Sequence, residues 1–320
     1  MEILRAAAFL IALGAAVGAV LSLGGAVSDR LDVFSHFVPI YLAAGTVALI
    51  ARLVTRSDGA AVTLGPAGLA IVVSAALMAP DLIAATTRRP ATATGETLKL
   101  IQLNLWEHNR DPAATAGWIE GQDADIVVLE EATGQGGRVA AALGALYPHR
   151  AAAAQPGRSS TLILSKAAMR EGGELRATSG AQVSGAWASF GSGPSGFTVV
   201  GTHYTWPIPP GPQQAQSRGV TADLARFDRG SLIVAGDFNS TPWSFSLRRQ
   251  DARFGLKRLT LALFTWPAAP FLRGLLYSPI PFLAIDHVYA GDSWQTVSVR
   301  RGPRLGSDHF PVVVVLRRAA

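Results

Sequence analysis

"LIVAGDFNST", residues 232–241, decides the fold class. It opens with four apolar or small residues, the mark of a strand buried on both faces. It then runs through Gly236 into Asp237 and Asn239. A glycine is enough to end a strand. Asp and Asn also serve turns, because their side chains bond the local backbone. This stretch alone therefore leaves two readings open, a turn or a reactive strand tip, and the rest of the chain must choose.

Working outward, the same motif recurs. Strands are expected at 98–106, 124–132, 160–166, 185–190, 197–204, 232–239, 284–291 and 310–318, with helices at 113–122, 139–146 and 213–227. Many strands with a few helices between them predict an α/β domain built as a two-sheet sandwich. Several of these strands end on polar groups: Asn104, Glu130 and Glu131, His203, Asp237 and Asn239, Asp286 and His287, then Asp308 and His309. One such residue is a turn. Six clusters of acids, amides and imidazoles at strand ends indicate a site, since loops beyond sheet edges are where a rigid scaffold places reactive groups.

Composition narrows the chemistry. The 320 residues contain no cysteine, which excludes disulfides, thiolate metal sites and cysteine nucleophiles. The histidines are far apart in sequence, which disfavours zinc. No phosphate-binding glycine loop follows a strand. Acids and amides instead suit a hard divalent cation, Mg²⁺ or Mn²⁺, working on a phosphate ester. The net charge of +6 is compatible with an anionic partner.

The apolar excess sits at one end. Residues 1–95 hold only six of the 28 Lys and Arg and five of the 22 Asp and Glu. The uncharged runs 6–27 and 33–51, and the run 60–85, are each about as long as a spanning helix needs to be. Residues 1–86 are therefore expected to be an anchor of three transmembrane helices, 87–96 a polar linker, and 97–320 the catalytic domain. His36, inside the second run, is expected to pack between helices or lie at the interface. Arg5, Arg52 and Arg56 balance Arg30, Arg88 and Arg89 across the membrane, so the positive-inside rule gives a tie. The short loop with Arg52 and Arg56 tips the expectation towards a catalytic domain outside the cytoplasm, in a multi-pass bacterial inner-membrane protein.

The motifs "IQLNLW", "ADIVVLEEA", "TLILSK", "GTHY", "AGDFNSTP", "IDHVYA" and "GSDHFPV" resemble, in order and spacing, the endonuclease/exonuclease/phosphatase superfamily. The resemblance covers about 97–317 and implies a deoxyribonuclease I-like sandwich. It also implies roles. Glu131, Asn104 and Asp308 would serve the metal. Asp237 would orient or deprotonate the attacking water, Asn239 and His203 would hold the phosphate, and His309 would be the catalytic histidine, oriented by Asp286. The family usually has Gln where this chain has Glu130. Alternation along a strand allows only one of Glu130 and Glu131 to face the metal, so Glu130 is expected at the surface or behind the ligands. His287 is expected to face away. His108, Asp111 and His149 are expected in loops, and Arg158 could reach a phosphate.

The substrate stays open at this stage. The apolar, proline-rich stretch 259–283 either packs on its own domain or meets the membrane surface. A lipid-linked or membrane-proximal phosphodiester fits the anchor. A nuclease acting on nucleic acid fits the family and the charge, and an inactive membrane scaffold is the alternative of another class. No obligate protein partner is inferred.

Overall fold

The computed structural model describes residues 2–55, 60–92, 95–153, 160–175, 184–271 and 275–319. Two compact units make up the chain: residues 1–88 with 208–210 and 240–249, and the remainder of 89–320.

The first unit is built on α1 (Glu2–Leu23), the short α2 (Asp29–Asp32), α3 (Val38–Thr55) and α4 (Ala60–Thr87). Three helical stretches, Ile3–Ala26, Asp29–Val54 and Val62–Thr87, are long and apolar enough to cross a membrane. Small residues meet where they pack: Ala12 with Ala48 and Ala67, and Ala15 and Ala16 with Ala70. Such residues let helix backbones approach closely where lipid offers no hydrophobic drive. Gly18 is needed for the same reason, because a Cβ there would lie 2.5 Å from the Tyr41 ring. Ile3, Leu10, Ile50 and Val72 point outward, as lipid-facing side chains should.

Among the described residues of the second unit are twelve strands: β1 (Thr97–Asn104), β2 (Ile126–Glu130), β3 (His149–Ala153), β4 (Thr161–Ser165), β5 (Glu171–Glu174), β6 (Ser184–Phe190), β7 (Phe197–His203), β8 (Leu232–Asp237), β9 (Lys257–Arg258), β10 (Asp286–Ala290), β11 (Trp294–Arg301) and β12 (Val312–Arg318). They make two six-stranded sheets, β11-β12-β1-β2-β4-β3 and β5-β6-β7-β8-β10-β9. At the middle of each lies a parallel pair, β1 with β2 and β7 with β8; the other pairs are antiparallel. Leu100, Ile126, Val128, Ile163, Val199, Ile233, Ala235, Val288 and Val312 fill the space between the sheets. On the outer face of the first sheet, Ile101, Leu103, Val127 and Leu129 receive Ile119 of α5 (Pro112–Gln122) and Val139 of α6 (Gly134–Ala142). Both faces of these strands are thus buried, which is why they read as continuous apolar runs. Two further helices are α7 (Pro210–Leu224) and α8 (Phe245–Phe254).

The expected sandwich is present. His149 is in β3 rather than a loop, and Asp111 caps α5 by accepting from the Ala114 N–H at 2.9 Å.

Candidate active site

Alternation along the central strands selects the site. In β8, Ile233 and Ala235 belong to the inter-sheet core, and two residues on comes Asp237. In β7 the same parity runs from Val199 to His203, and in β10 from Val288 back to Asp286. Register then aligns them, with Asp237 opposite both His203 and Asp286. Across the gap, β1 carries Leu100, Gln102 and Asn104 on the same inward parity, and β2 carries Ile126, Val128 and Glu130, with Asn104 opposite Glu130. Gly236 makes the close strand approach possible, because a Cβ there would sit 1.8 Å from the Thr202 carbonyl oxygen.

His309 and Asp286 form a dyad, with Nδ1 to Oδ2 at 2.8 Å. The His309 backbone is fixed by its N–H donating to Ser307 Oγ at 2.9 Å, while that hydroxyl donates to the Asn104 carbonyl at 2.6 Å. Nε2 of the imidazole faces Asp237 Oδ2 at 3.7 Å. Asn104 donates from Nδ2 to Glu131 Oε1 and to Asp237 Oδ2, each at 3.1 Å. His203 lies 3.6 Å from Asp237 and 3.9 Å from Glu131. The Asn239 N–H donates to Asp237 Oδ1 at 2.8 Å, and its amide to the Tyr204 carbonyl at 2.8 Å. Asp308 accepts from the Trp266 indole at 3.2 Å.

Glu130 is not at the surface. It is fully buried behind the dyad, where Gln102 donates to Glu130 Oε2 at 2.9 Å and to Asp286 Oδ1 at 2.8 Å. Both glutamates turn inward because Glu131 has already left the strand, with φ at +50°. The alternation that separates strand neighbours stops one residue earlier. Asn239 also has a left-handed backbone, φ +46°, a conformation asparagine tolerates better than most residues.

Burial shapes the charges. It pushes the Asp237 carboxyl up to about 6, against the pull of His309 and His203. Burial also works to raise Asp286, but the charge and hydrogen bond of His309 outweigh it and hold this carboxyl below its usual range. His309 is correspondingly raised: burial opposes its charge, and Asp286 and Asp237 overcome that. The pair is thus an imidazolium on a carboxylate. Burial and the neighbouring Asp286 charge lift Glu130 well above the carboxylate range, leaving it a neutral acid. Asp308 is raised by burial, with the Glu131 charge adding to it.

Glu131 and Asp237 share the Asn104 amide, and the Glu131 charge acts on Asp308; hard carboxylate oxygens of this kind suit a divalent cation. Asp237, Asp286 and His309 could also gather atoms within 4.8 Å around an ion. Asp286 and His309 already spend Oδ2 and Nδ1 on each other, which favours Glu131 and Asp308, the carboxylates outside the dyad, as cation ligands.

All eight residues expected from the sequence, Asn104, Glu131, His203, Asp237, Asn239, Asp286, Asp308 and His309, converge here. Arg158 lies outside the described residues. His287 faces the other way, bonded to Thr260 at 3.0 Å beside the Phe238 ring. Sequence reading missed Gln102, although its inward parity with Leu100 marked it, and Trp266 as a partner of Asp308.

Residues 101–309 match the model of the endonuclease/exonuclease/phosphatase family. The chain belongs to this family. Its members hydrolyse phosphate esters. Solved structures share the fold. The endonuclease/exonuclease/phosphatase protein from Beutenbergia cavernae is 22% identical over 71% of this chain and 72% of that one, with a TM-score of 0.52. Beta toxin from Staphylococcus aureus, with bound magnesium ions, is 12% identical over 68% and 99%, at 0.53. TDP2 from D. rerio, complexed with a single-stranded DNA product, is 14% identical over 70% and 100%, at 0.55. Curated protein sequences give no significant match.

Proposed function

We propose that the protein is a membrane-anchored, divalent-metal-dependent phosphodiesterase whose substrate lies at or in the membrane surface. The observation that carries this reading is the stretch 266–283. Its base is an aromatic cluster: the Trp266 ring lies 5.0 Å from Phe271 and 5.6 Å from Phe282, while its indole holds Asp308. Its tip is apolar and open to solvent, with Leu275 83% exposed, Tyr277 61% and Ile280 69%. Trp206 adds a further exposed ring 6.5 Å from Trp266. An apolar rim that begins at a candidate metal ligand suits a lipid-linked ester better than a polyanionic duplex.

The chemistry follows from the dyad. Asp237, once ionised, accepts a proton from water, and that water attacks phosphorus in line with the departing ester oxygen. The phosphorus–oxygen bond to the leaving group breaks, and its electron pair stays with that oxygen. His309, held as imidazolium by Asp286, and the Asn239 amide stabilise the charge that builds on the phosphoryl oxygens. His203, 3.6 Å from Asp237, would hold a phosphoryl oxygen as well. Mg²⁺ or Mn²⁺ held by Glu131 and Asp308, with the Asn104 amide fixing the Glu131 carboxylate, would offset phosphoryl charge. We place the end of α3 that carries Arg52 in the cytoplasm, and hence the catalytic unit outside it.

The test offers the purified full chain, with Mn²⁺ or Mg²⁺ and then with excess EDTA, three substrates: bis(p-nitrophenyl) phosphate, supercoiled plasmid, and phospholipid vesicles. Metal-dependent cleavage of the small diester and of vesicle lipid supports the reading. Plasmid nicking without lipid turnover would instead assign a nuclease, and no turnover of any substrate would assign a scaffold.

A further inference from the structure

The segment that leaves the site is held by residues at the head of the second span. Residues 240–249 belong to the same compact unit as the apolar helices, and the chain enters that unit directly after Asn239. Asp32, only 2% exposed, accepts from the Phe245 N–H through Oδ1 at 2.9 Å and from the Ser246 N–H through Oδ2 at 2.7 Å. These are first-turn donors of α8, which no residue within the helix can satisfy. An aspartate 213 residues away in sequence thus helps cap this helix, beside its local cap Ser244, which accepts from the Leu247 N–H at 3.2 Å. Ser35 fixes Asp32 by donating to Oδ1 at 2.8 Å.

His36 is 4% exposed, and its Nδ1 accepts from the Thr241 N–H at 3.2 Å and lies 3.2 Å from Thr241 Oγ1. Trp243, fully buried, donates its indole N–H to the His36 carbonyl at 3.4 Å. Arg248 donates to the Leu77 carbonyl at 2.6 Å, and Arg249 pairs with Asp29. Gly25 leaves room for the arrangement, since a Cβ there would come within 2.5 Å of Asp32 Oδ1 and 2.7 Å of the Phe245 ring.

Two residues back from Thr241 stands Asn239, whose left-handed backbone keeps its N–H on Asp237 and its amide on Tyr204. A sparsely populated backbone conformation persists where its surroundings over-determine it. On one side Gln213 does so, donating to the carbonyls of Phe238 and Asn239 at 3.2 and 3.3 Å. On the other side the chain is held at Thr241.

We propose that Asp32 and His36 are positioning residues for the phosphoryl-transfer site: by gripping residues 241–246 they fix the path of the chain out of Asn239. The membrane unit then does more than tether, because it preorganises a phosphate-holding amide. For catalysis this rests on the hydrolase reading above. A misplacement of about 1 Å in a catalytic constellation costs on the order of 10²-fold in rate, so loss of the grip should appear in kcat.

The experiment uses the full chain in lipid nanodiscs with Mn²⁺ and bis(p-nitrophenyl) phosphate, a soluble substrate that needs no membrane docking. Asp32→Ala and His36→Ala should lower kcat on the order of 10-fold or more with KM little changed. Asp32→Asn, which keeps one acceptor, should restore part of the loss. Leu143→Ala, a cavity variant in the outer core, controls for general destabilisation and should keep its kcat. Hydrogen exchange of the amides at 239–246 should quicken in the two alanine variants and not in the control. Wild-type kcat in folded Asp32→Ala and His36→Ala, or a loss no larger than the control's, overturns the proposal. Should the wild type cleave no phosphate ester, the hydrolase reading fails by itself. Exchange at Asn239 and Ser240 then decides the positional claim, and unchanged protection overturns it.

Discussion

Replacing Glu130 by glutamine should flatten the dependence of stability on pH. In the fold this carboxyl is buried behind the dyad, and burial together with the Asp286 charge keeps its proton on well above the ordinary value of 4.5. The folded state therefore binds more protons than the unfolded state once the pH exceeds about 4.5. Stability contributed by this group is full below that point and is lost as the pH climbs through the folded value. While that window lasts, the loss is about 1.4 kcal/mol per pH unit. For a domain of this size, about 2–4 °C of melting temperature corresponds to 1 kcal/mol, so the slope is about 3–6 °C per pH unit. Glu130→Gln removes the titration and keeps the shape. It also keeps an acceptor for the Gln102 amide, and it installs the residue the family usually carries there. Melting followed by tryptophan fluorescence between pH 4.5 and 8 should show the two proteins closest at the acid end, with the variant increasingly the more stable above it. Parallel curves would refute the neutral buried acid. A variant less stable throughout would show that the second oxygen, which has no hydrogen-bond partner among the described residues, meets a group the glutamine amine cannot replace.

Three further outcomes are expected. His309→Ala, folded by circular dichroism, should lose about 10²–10⁴ in turnover, and Asp286→Asn less; near wild-type rates in the first would remove His309 from the chemistry. Turnover with Mn²⁺ should rise with pH along a limb whose midpoint lies at or below about 6, because burial holds the Asp237 proton up and a bound cation draws it off; a rate highest in the acid range would exclude Asp237 as the base. Leu275→Ser with Tyr277→Ser should weaken binding of the full chain to liposomes relative to its own diester hydrolysis, since each large apolar group is worth about 1.5–3 kcal/mol when fully buried; unchanged partition would leave the exposed tip without a role.

Much of the site was legible because it obeys a period of two. Counting alternate residues from Ile233 or Val199 leads to Asp237 or His203, and strand register then brings them together. Glu130 lies behind the dyad, one of the two places expected of it, but alternation is not the reason. Glu131 sits one residue past its strand in a left-handed conformation, so the rule separating it from Glu130 no longer applies. Strands β3, "HRAAA", and β5, "EGGE", were missed because alanine, glycine and glutamate carry little strand signal. Strand β11 was missed because its polar alternation includes a register shift between Thr296 and Ser298. Helix α8, "FSLRRQDARF", lacks a wide apolar stripe. Nothing local to Asp32 or His36 announces partners more than 200 residues downstream.

That separation sets an order of events during synthesis. The gap between Asp32 and Phe245 is 213 residues, which at about 5–20 residues per second is some 10–40 s of translation. The apolar helices emerge first, and α8 reaches its distant cap only after that interval. His309 follows later still, so the dyad with Asp286 forms only after α8 has emerged. The apolar helices are thus made well before Asp237, Asp286 and His309 are all present.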